Sequence, residues 1–139
     1  MIPVFVYGTL LEGESNHHVI ASHILSARSG VVYGKLYDCG AYPAIVLAGY
    51  GDGDLVEGLW LVVTEEGLAR MDELEEYYGP GMPNDYERIW VRDARQEERE
   101  GWIYAWPDSR GCPAIAGRSW RWHREGKQFE SERSPADPS

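Results

Sequence analysis

Apolar positions fall into short runs separated by glycine, proline and acidic stretches. Residues 2 to 7, Ile-Pro-Val-Phe-Val-Tyr, are nearly all apolar, β-branched or aromatic and stop at Gly8, which predicts a short buried strand and a turn. Val31 to Asp38 and Leu55 to Val63 alternate as half-buried strands do, the second with Leu55, Leu59, Leu61 and Val63 on one side and Glu57 beside them. Ala41 to Leu47 reads as another strand with Pro43 near its start, where a missing amide donor is tolerated. Tyr86 to Asp93 and Trp102 to Trp106 complete the strand candidates.

Two segments carry helical spacing instead. Asn16 is a cap for a helix over about His17 to Ala27, with Val19, Ile20, Ile24 and Leu25 on one side and Gly30 beyond it. Thr64 followed by Glu65 and Glu66 starts a second helix, expected to run to about Tyr77, because a hydroxyl cap and early acids satisfy the amides at its positive end. Gly79 to Asp85 cannot continue a helix and predicts a loop. Strands interspersed with two helices predict an α+β domain with a small curled or barrel-like sheet.

At 139 residues the chain has room for one domain, assigned to residues 1–124. From Glu125 onward the only aromatic is Phe129 and Ser, Glu, Pro and Asp dominate, so 125–139 is expected to be a mobile tail. The net charge is −10, concentrated as −7 in residues 65 to 100, so nucleic acid and anionic membrane surfaces are repelled and neither is expected as a partner. Two cysteines, Cys39 and Cys112, form neither a metal-type spacing nor a redox motif in sequence, and they read as fillers in a reducing compartment. No run approaches the roughly 18 apolar residues of a membrane helix, so the expectation is a cytoplasmic protein.

The second helix holds the most informative residue. With about 100° per position and Leu68 at zero, Met71, Leu74 and Tyr78 define a core-facing stripe, and Glu75 falls near 340°, inside it. A carboxylate there is desolvated and its pKa rises, as in many catalytic acids. A second reading pairs Glu75 with an arginine such as Arg88, or lets it reach water at the rim. Asp72 and the other acids of the run read as a solvated face.

The other informative element is Tyr7-Gly8-Thr9-Leu10, where glycine lets successive amides converge on a carboxylate or an oxyanion. Alone it is equally a plain turn. It lacks the glycine spacing and lysine of a phosphate-binding loop. His17, His18 and His23 lie on different sides of the expected helix, so no metal is expected. No serine elbow occurs, and neither cysteine has a histidine or basic neighbour in sequence. Trp90, Trp102, Trp106, Trp120 and Trp122 with Tyr86 and Tyr104 read mostly as core, since the charge opposes base stacking, while a tyrosine whose hydroxyl faces the site could position a ligand.

Val4 to Leu10 with Gly13 and Asn16, then Ala41-Tyr42-Pro43-Ala44, Val56-Glu57-Gly58, Met71 to Glu75, Tyr86-Glu87-Arg88 and Trp102 to Trp106 resemble, in order, the γ-glutamylcyclotransferase-like (AIG2-like) family. The resemblance covers about residues 2 to 106. It implies a small mixed β-barrel with flanking helices and a cavity in which Tyr7, Gly8, Thr9, Leu10 and Tyr86 bind a small γ-glutamyl substrate, with Glu75 as acid and base. The family usually carries glycine after that glutamate, and this chain has Glu76. The implied reaction is intramolecular: the substrate α-amine attacks the γ-carbonyl, releasing 5-oxoproline and a free amine with no cofactor. The alternatives are a non-catalytic metabolite- or partner-binding module that keeps the cavity, and the same chemistry as a γ-glutamyl-removing step in a biosynthetic pathway.

Overall fold

The structure, a computed structural model, describes residues 1–125. Six strands, β1 (Ile2–Val6), β2 (Ile24–Asp38), β3 (Pro43–Leu47), β4 (Leu55–Val63), β5 (Glu87–Arg92) and β6 (Glu100–Ala105), form one sheet in the order β3-β2-β4-β1-β6-β5. All neighbours are antiparallel except β1 and β6, so the sheet is mixed. It curls into a half-barrel, and the Trp106 N–H beyond β6 donates to Ile45 O of β3 at 2.9 Å.

The curl explains why β1 is apolar throughout rather than alternating. Phe5 and Tyr7 point into the barrel with Val32, Leu36, Ile45, Trp60 and Ile103, while Val4 and Val6 join Leu61, Val63, Met71 and Trp106 under helix α1 (Glu65–Leu74). A strand covered on both faces has no solvent side to mark with polar residues. Thr64 caps α1, its Oγ1 accepting from Gly67 N–H at 3.0 Å.

Three expectations for the helices are corrected. No α-helix covers 17–27: two short 3₁₀ turns, His17–Val19 and Ala21–His23, bury Ile20, and the chain then enters β2 at Ile24. From Ile24 to Tyr33 that strand pairs with β4, whose ladder needs a partner, and Leu25 is left exposed. Helix α1 ends at Leu74 rather than near Tyr77, and Tyr78, expected in the core stripe, is 62% exposed. A further helix, α2, begins at residue 120 and is described to 125. It escaped the sequence reading, and all but the first residue of the expected mobile tail lies outside the described residues.

Helix α2 clamps two loops at once. Glu14, with a side chain only 5% exposed, pairs with Arg124 at 2.6 Å and Arg121 at 3.3 Å, and His123 Nε2 lies 3.0 Å from Asp38 Oδ2. Among the described residues no helix is long and apolar enough to cross a membrane.

Candidate active site

The turn after β1 is built largely by its own backbone. Leu11 N–H donates to Gly8 O at 3.0 Å, Asn16 N–H to Thr9 O at 2.8 Å, and Asn16 Nδ2 to Thr9 Oγ1 at 2.9 Å. Gly8 has to be small, because a Cβ there would stand 2.6 Å from Pro43 Cγ. Among the described residues, the amides of Gly8, Thr9 and Leu10 donate to no protein acceptor.

The end of α1 lines the same cavity as this turn. Tyr77 N–H donates to Asp72 O at 2.9 Å and Glu76 N–H to Glu73 O at 3.2 Å, a Schellman ending with Glu75 as C-cap. The following residue takes the left-handed conformation that favours glycine, and Glu76 occupies it with φ of 53°. The ending turns the chain away at the point where Glu75 meets the cavity.

That cavity has a volume of about 290 Å³ and is walled by all six residues singled out in the sequence: Tyr7, Gly8, Thr9, Leu10, Glu75 and Tyr86. Asn16, Tyr42, Pro43, Glu76, Asp85 and Tyr104 also line it, and among the described residues no Lys, Arg or His does. The hydroxyls of the two named tyrosines are engaged in closing the barrel: Tyr7 Oη donates to Tyr104 O at 2.6 Å and accepts from Ile45 N–H at 3.3 Å, and Tyr86 Oη donates to Pro43 O at 2.9 Å. Burial raises both phenols, so they stay protonated.

The Glu75 carboxylate has no hydrogen-bond or ion-pair partner among the described residues. Burial pushes its pKa up to about 7, and the nearby Asp85 carboxylate adds to the rise. Arg88, offered as its partner, instead pairs with Asp72 at 2.6 Å and packs its guanidinium between Tyr77 and Trp102. Asp72 is therefore no solvated acid: its other oxygen accepts from Tyr104 Oη at 2.5 Å, tying α1 to β5 and β6. Sequence reasoning missed this link because Asp72 and Arg88 lie on different elements, and only the curl of the sheet brings them together.

Asp85 is held from outside the cavity. Arg110 Nη1 donates to its Oδ1 at 2.6 Å and Nη2 to its backbone carbonyl, while the guanidinium stacks 3.9 Å from the Trp106 ring centroid. Asp85→Asn keeps an acceptor for Arg110 and removes the charge that raises Glu75. The Glu75 pKa is then expected to fall below about 7, moving any activity limb that requires its carboxylate to lower pH. A pH profile of kcat/KM checks it, and an unmoved or upward-shifted limb rejects the coupling.

The histidines carry no shared site. His17 Nδ1 lies 3.0 Å from Leu10 O and His23 Nδ1 lies 3.2 Å from Thr64 Oγ1, and among the described residues no cluster of His, Cys, Asp and Glu has a metal-holding arrangement.

Residues 4–122 match the family described as "Gamma-glutamyl cyclotransferase, AIG2-like". The chain is 42% identical over 106 residues to the γ-L-glutamyl-butirosin B γ-glutamyl cyclotransferase of Niallia circulans, a match covering 74% of this chain and 65% of that relative's length. It is 36% identical over 107 residues to a putative γ-glutamylcyclotransferase of Vibrio cholerae, covering 76% of this chain and 83% of the relative. Among solved structures, an AIG2-like protein from Mus musculus superposes with a TM-score of 0.61 at 26% identity, over 83% of this chain and 86% of that one. With the turn after β1, the glutamate at the end of α1 and the cavity between them all inside the matched span, the chain belongs to the γ-glutamyl cyclotransferase, AIG2-like family.

Proposed function

We propose that this protein is a γ-glutamyl cyclotransferase that converts a γ-glutamyl amide into 5-oxoproline and a free amine, with Glu75 as the single acid and base. The observation that carries this reading is the Glu75 carboxylate, raised to about 7 and without a partner among the described residues, at the wall of a cavity also lined by Gly8, Thr9 and Leu10, whose amides donate to no acceptor among those residues. In the neutral range Glu75 is partly ionised and takes a proton from the substrate α-ammonium. The freed amine attacks the γ-carbonyl carbon of the same molecule, forming the C–N bond of a five-membered lactam. Glu75 then returns the proton to the departing nitrogen as the original amide C–N bond breaks.

The substrate brings its own nucleophile, so the protein has to orient and to move one proton. Holding amine and carbonyl together is worth up to roughly 7 to 11 kcal/mol in favourable cases. The amides of Gly8, Thr9 and Leu10 are the donors for the substrate carboxylate or for the developing oxyanion, where a single donor is worth about 10²- to 10³-fold in rate. Tyr7 and Tyr86 act through shape, since their protons are committed to the barrel. A cytoplasmic location fits this reading.

The leaving amine is read as one carrying a further positive charge, because the wall bears Glu76 beside Glu75 and, among the described residues, no Lys, Arg or His. The relative from Niallia circulans acts, by its name, on a γ-glutamyl derivative of butirosin B. Release of 5-oxoproline from γ-glutamyl-1,4-diaminobutane and from γ-glutamyl-butylamine tests both levels. The cationic substrate is expected to have the higher kcat/KM by roughly fivefold at low salt, with the difference shrinking as salt rises. Equal values reject the charge preference, and no 5-oxoproline from a panel of γ-glutamyl amines, amino acids and glutathione rejects the enzyme reading in favour of a binding module.

A further inference from the structure

Cys39 and Cys112 are 73 positions apart in sequence, yet the fold sets them opposite each other. The end of β2 forms a short antiparallel ladder with the segment after β6. Ile115 N–H donates to Leu36 O at 2.9 Å, Asp38 N–H donates to Pro113 O at 2.8 Å, and Tyr37 faces Ala114 between these bonds. Continued one further step, this register would oppose Cys39 and Cys112, as a pair without mutual backbone bonds. In that type of pair the Cα atoms approach to about 4.5 Å, within the span a disulfide bridges. Both thiols are free, partly buried and packed against the cluster that holds Tyr86 and Trp106. Cys39 Sγ donates to Tyr37 O at 3.8 Å, and burial, with the Cys112 thiol close by, pushes the Cys39 thiol up to about 12.

We propose that Cys39 and Cys112 form a redox modification site, a facing dithiol that closes to an intramolecular disulfide, beside the turn that carries Tyr42 and Pro43 into the cavity wall, on meeting a small-molecule disulfide. Cys112, as thiolate, attacks a sulfur of the small disulfide, R–S–S–R, forming a mixed disulfide and releasing one thiolate that takes up a proton. The second cysteine loses its proton and attacks the protein sulfur of that mixed disulfide. The Cys39–Cys112 bond forms, the second RSH leaves, and two electrons have passed from the protein to the small disulfide.

The bridge acts where two parts of the cavity wall are anchored. Cys39 N–H donates to Tyr42 O at 3.0 Å, in the turn that carries Tyr42 and Pro43 into the wall. Cys112 N–H donates to Ser109 O at 2.9 Å, in the turn that holds Arg110 against Asp85. Closing the bond ties these turns together and leaves Glu75 and the amides of Gly8 to Leu10 untouched. The inference is independent of the reaction assigned to the cavity, since its readouts are mass, thiol count and melting temperature.

The test incubates the full chain with 2-hydroxyethyl disulfide, which carries no γ-glutamyl group. The expected product is a monomer lighter by about 2 Da, with no thiol left to alkylate after unfolding and a single peptide linkage joining Cys39 to Cys112. Its Tm is expected to rise by roughly 5 to 10 °C over the reduced form, because the bridge closes a long loop in the unfolded chain. Cys39→Ser and Cys112→Ser should each take one adduct and show no such rise. Two labelled thiols at equilibrium, separate adducts on both cysteines, a covalent dimer, or an unchanged or lower Tm in the bridged chain would each overturn the proposal.

Discussion

Glu75→Gln is expected to lower 5-oxoproline release by about 10³-fold or more while the chain stays folded. Glutamine keeps the size of the side chain and removes its ability to take a proton from the α-ammonium and return it to the leaving nitrogen. Because both transfers use the same carboxyl, no second group compensates. Stability should move the other way. The free carboxylate is raised from an ordinary 4.5 to about 7 by burial, so between those values the folded state binds the proton more tightly than the unfolded chain.

The stability this group contributes is therefore fully present below about pH 4.5 and is lost as pH rises through about 7. Above that, wild type carries an unpaired, largely buried charge, and Glu75→Gln should be more stable by about 1–3 kcal/mol. Product assay and denaturant midpoints at pH 5 and pH 8 check both halves. A variant within tenfold of wild-type turnover would overturn the role given to Glu75. Activity lost together with folding would leave that role unsupported and mark Glu75 as structural.

A loss of stability of similar size is expected from Gly58→Ala, in β4. A Cβ at Gly58 would stand 2.2 Å from the Val6 carbonyl oxygen and 2.8 Å from Phe5 Cζ. The first atom is backbone, so the contact is relieved only by parting β1 from β4 just before the Tyr7-Gly8 turn. Its register partner Gly30 is equally confined, since a Cβ there would meet Trp60 Cδ1 at 2.3 Å. The expected loss is about 1–3 kcal/mol, with a fall in Tm of roughly 5 to 15 °C. Activity should fall further than stability explains, because the displaced strand carries the site turn. Gly117→Ala is the control, as its Cβ would meet only Trp122 at an ordinary 3.7 Å. Equal denaturant midpoints for the two variants would remove the close approach as the reason for glycine at 58.

Much of the strand content was legible because it depends on local pattern. Leu55–Val63 has the bounds its alternation implies, and Thr64 caps α1 through the bond its hydroxyl predicts. The end of α1 was less legible, because the residue in left-handed conformation is Glu76, and a glutamate carries no stop signal. Residues 17–27 failed for a different reason. Val19, Ile20, Ile24 and Leu25 satisfy helical spacing, but the backbone from Ile24 onward gains a ladder with β4 that no local window contains.

The site divides in the same way. Glu75 stood out by helical phase, and Tyr7 to Leu10 by a glycine directly after a buried strand. Asp72 was misread because its partners, Arg88 and Tyr104, belong to strands 16 and 32 residues away. Helix α2 and its clamps on Glu14 and Asp38 were missed for want of any local signal that residues 120–125 have a surface to grip.

By itself the sequence determined most of the strands, where α1 begins, the acidic character of the chain, and the glutamate and the turn to which the chemistry is assigned, since each follows from neighbours within one or two turns of chain. Only the tertiary structure decided that these two elements line one cavity, that Arg88 belongs to Asp72 and leaves Glu75 without a partner among the described residues, and that Cys39 lies near Cys112. Those facts depend on the curl that brings β6 to β3, and the curl is a property of six strands packed together and of none of them singly.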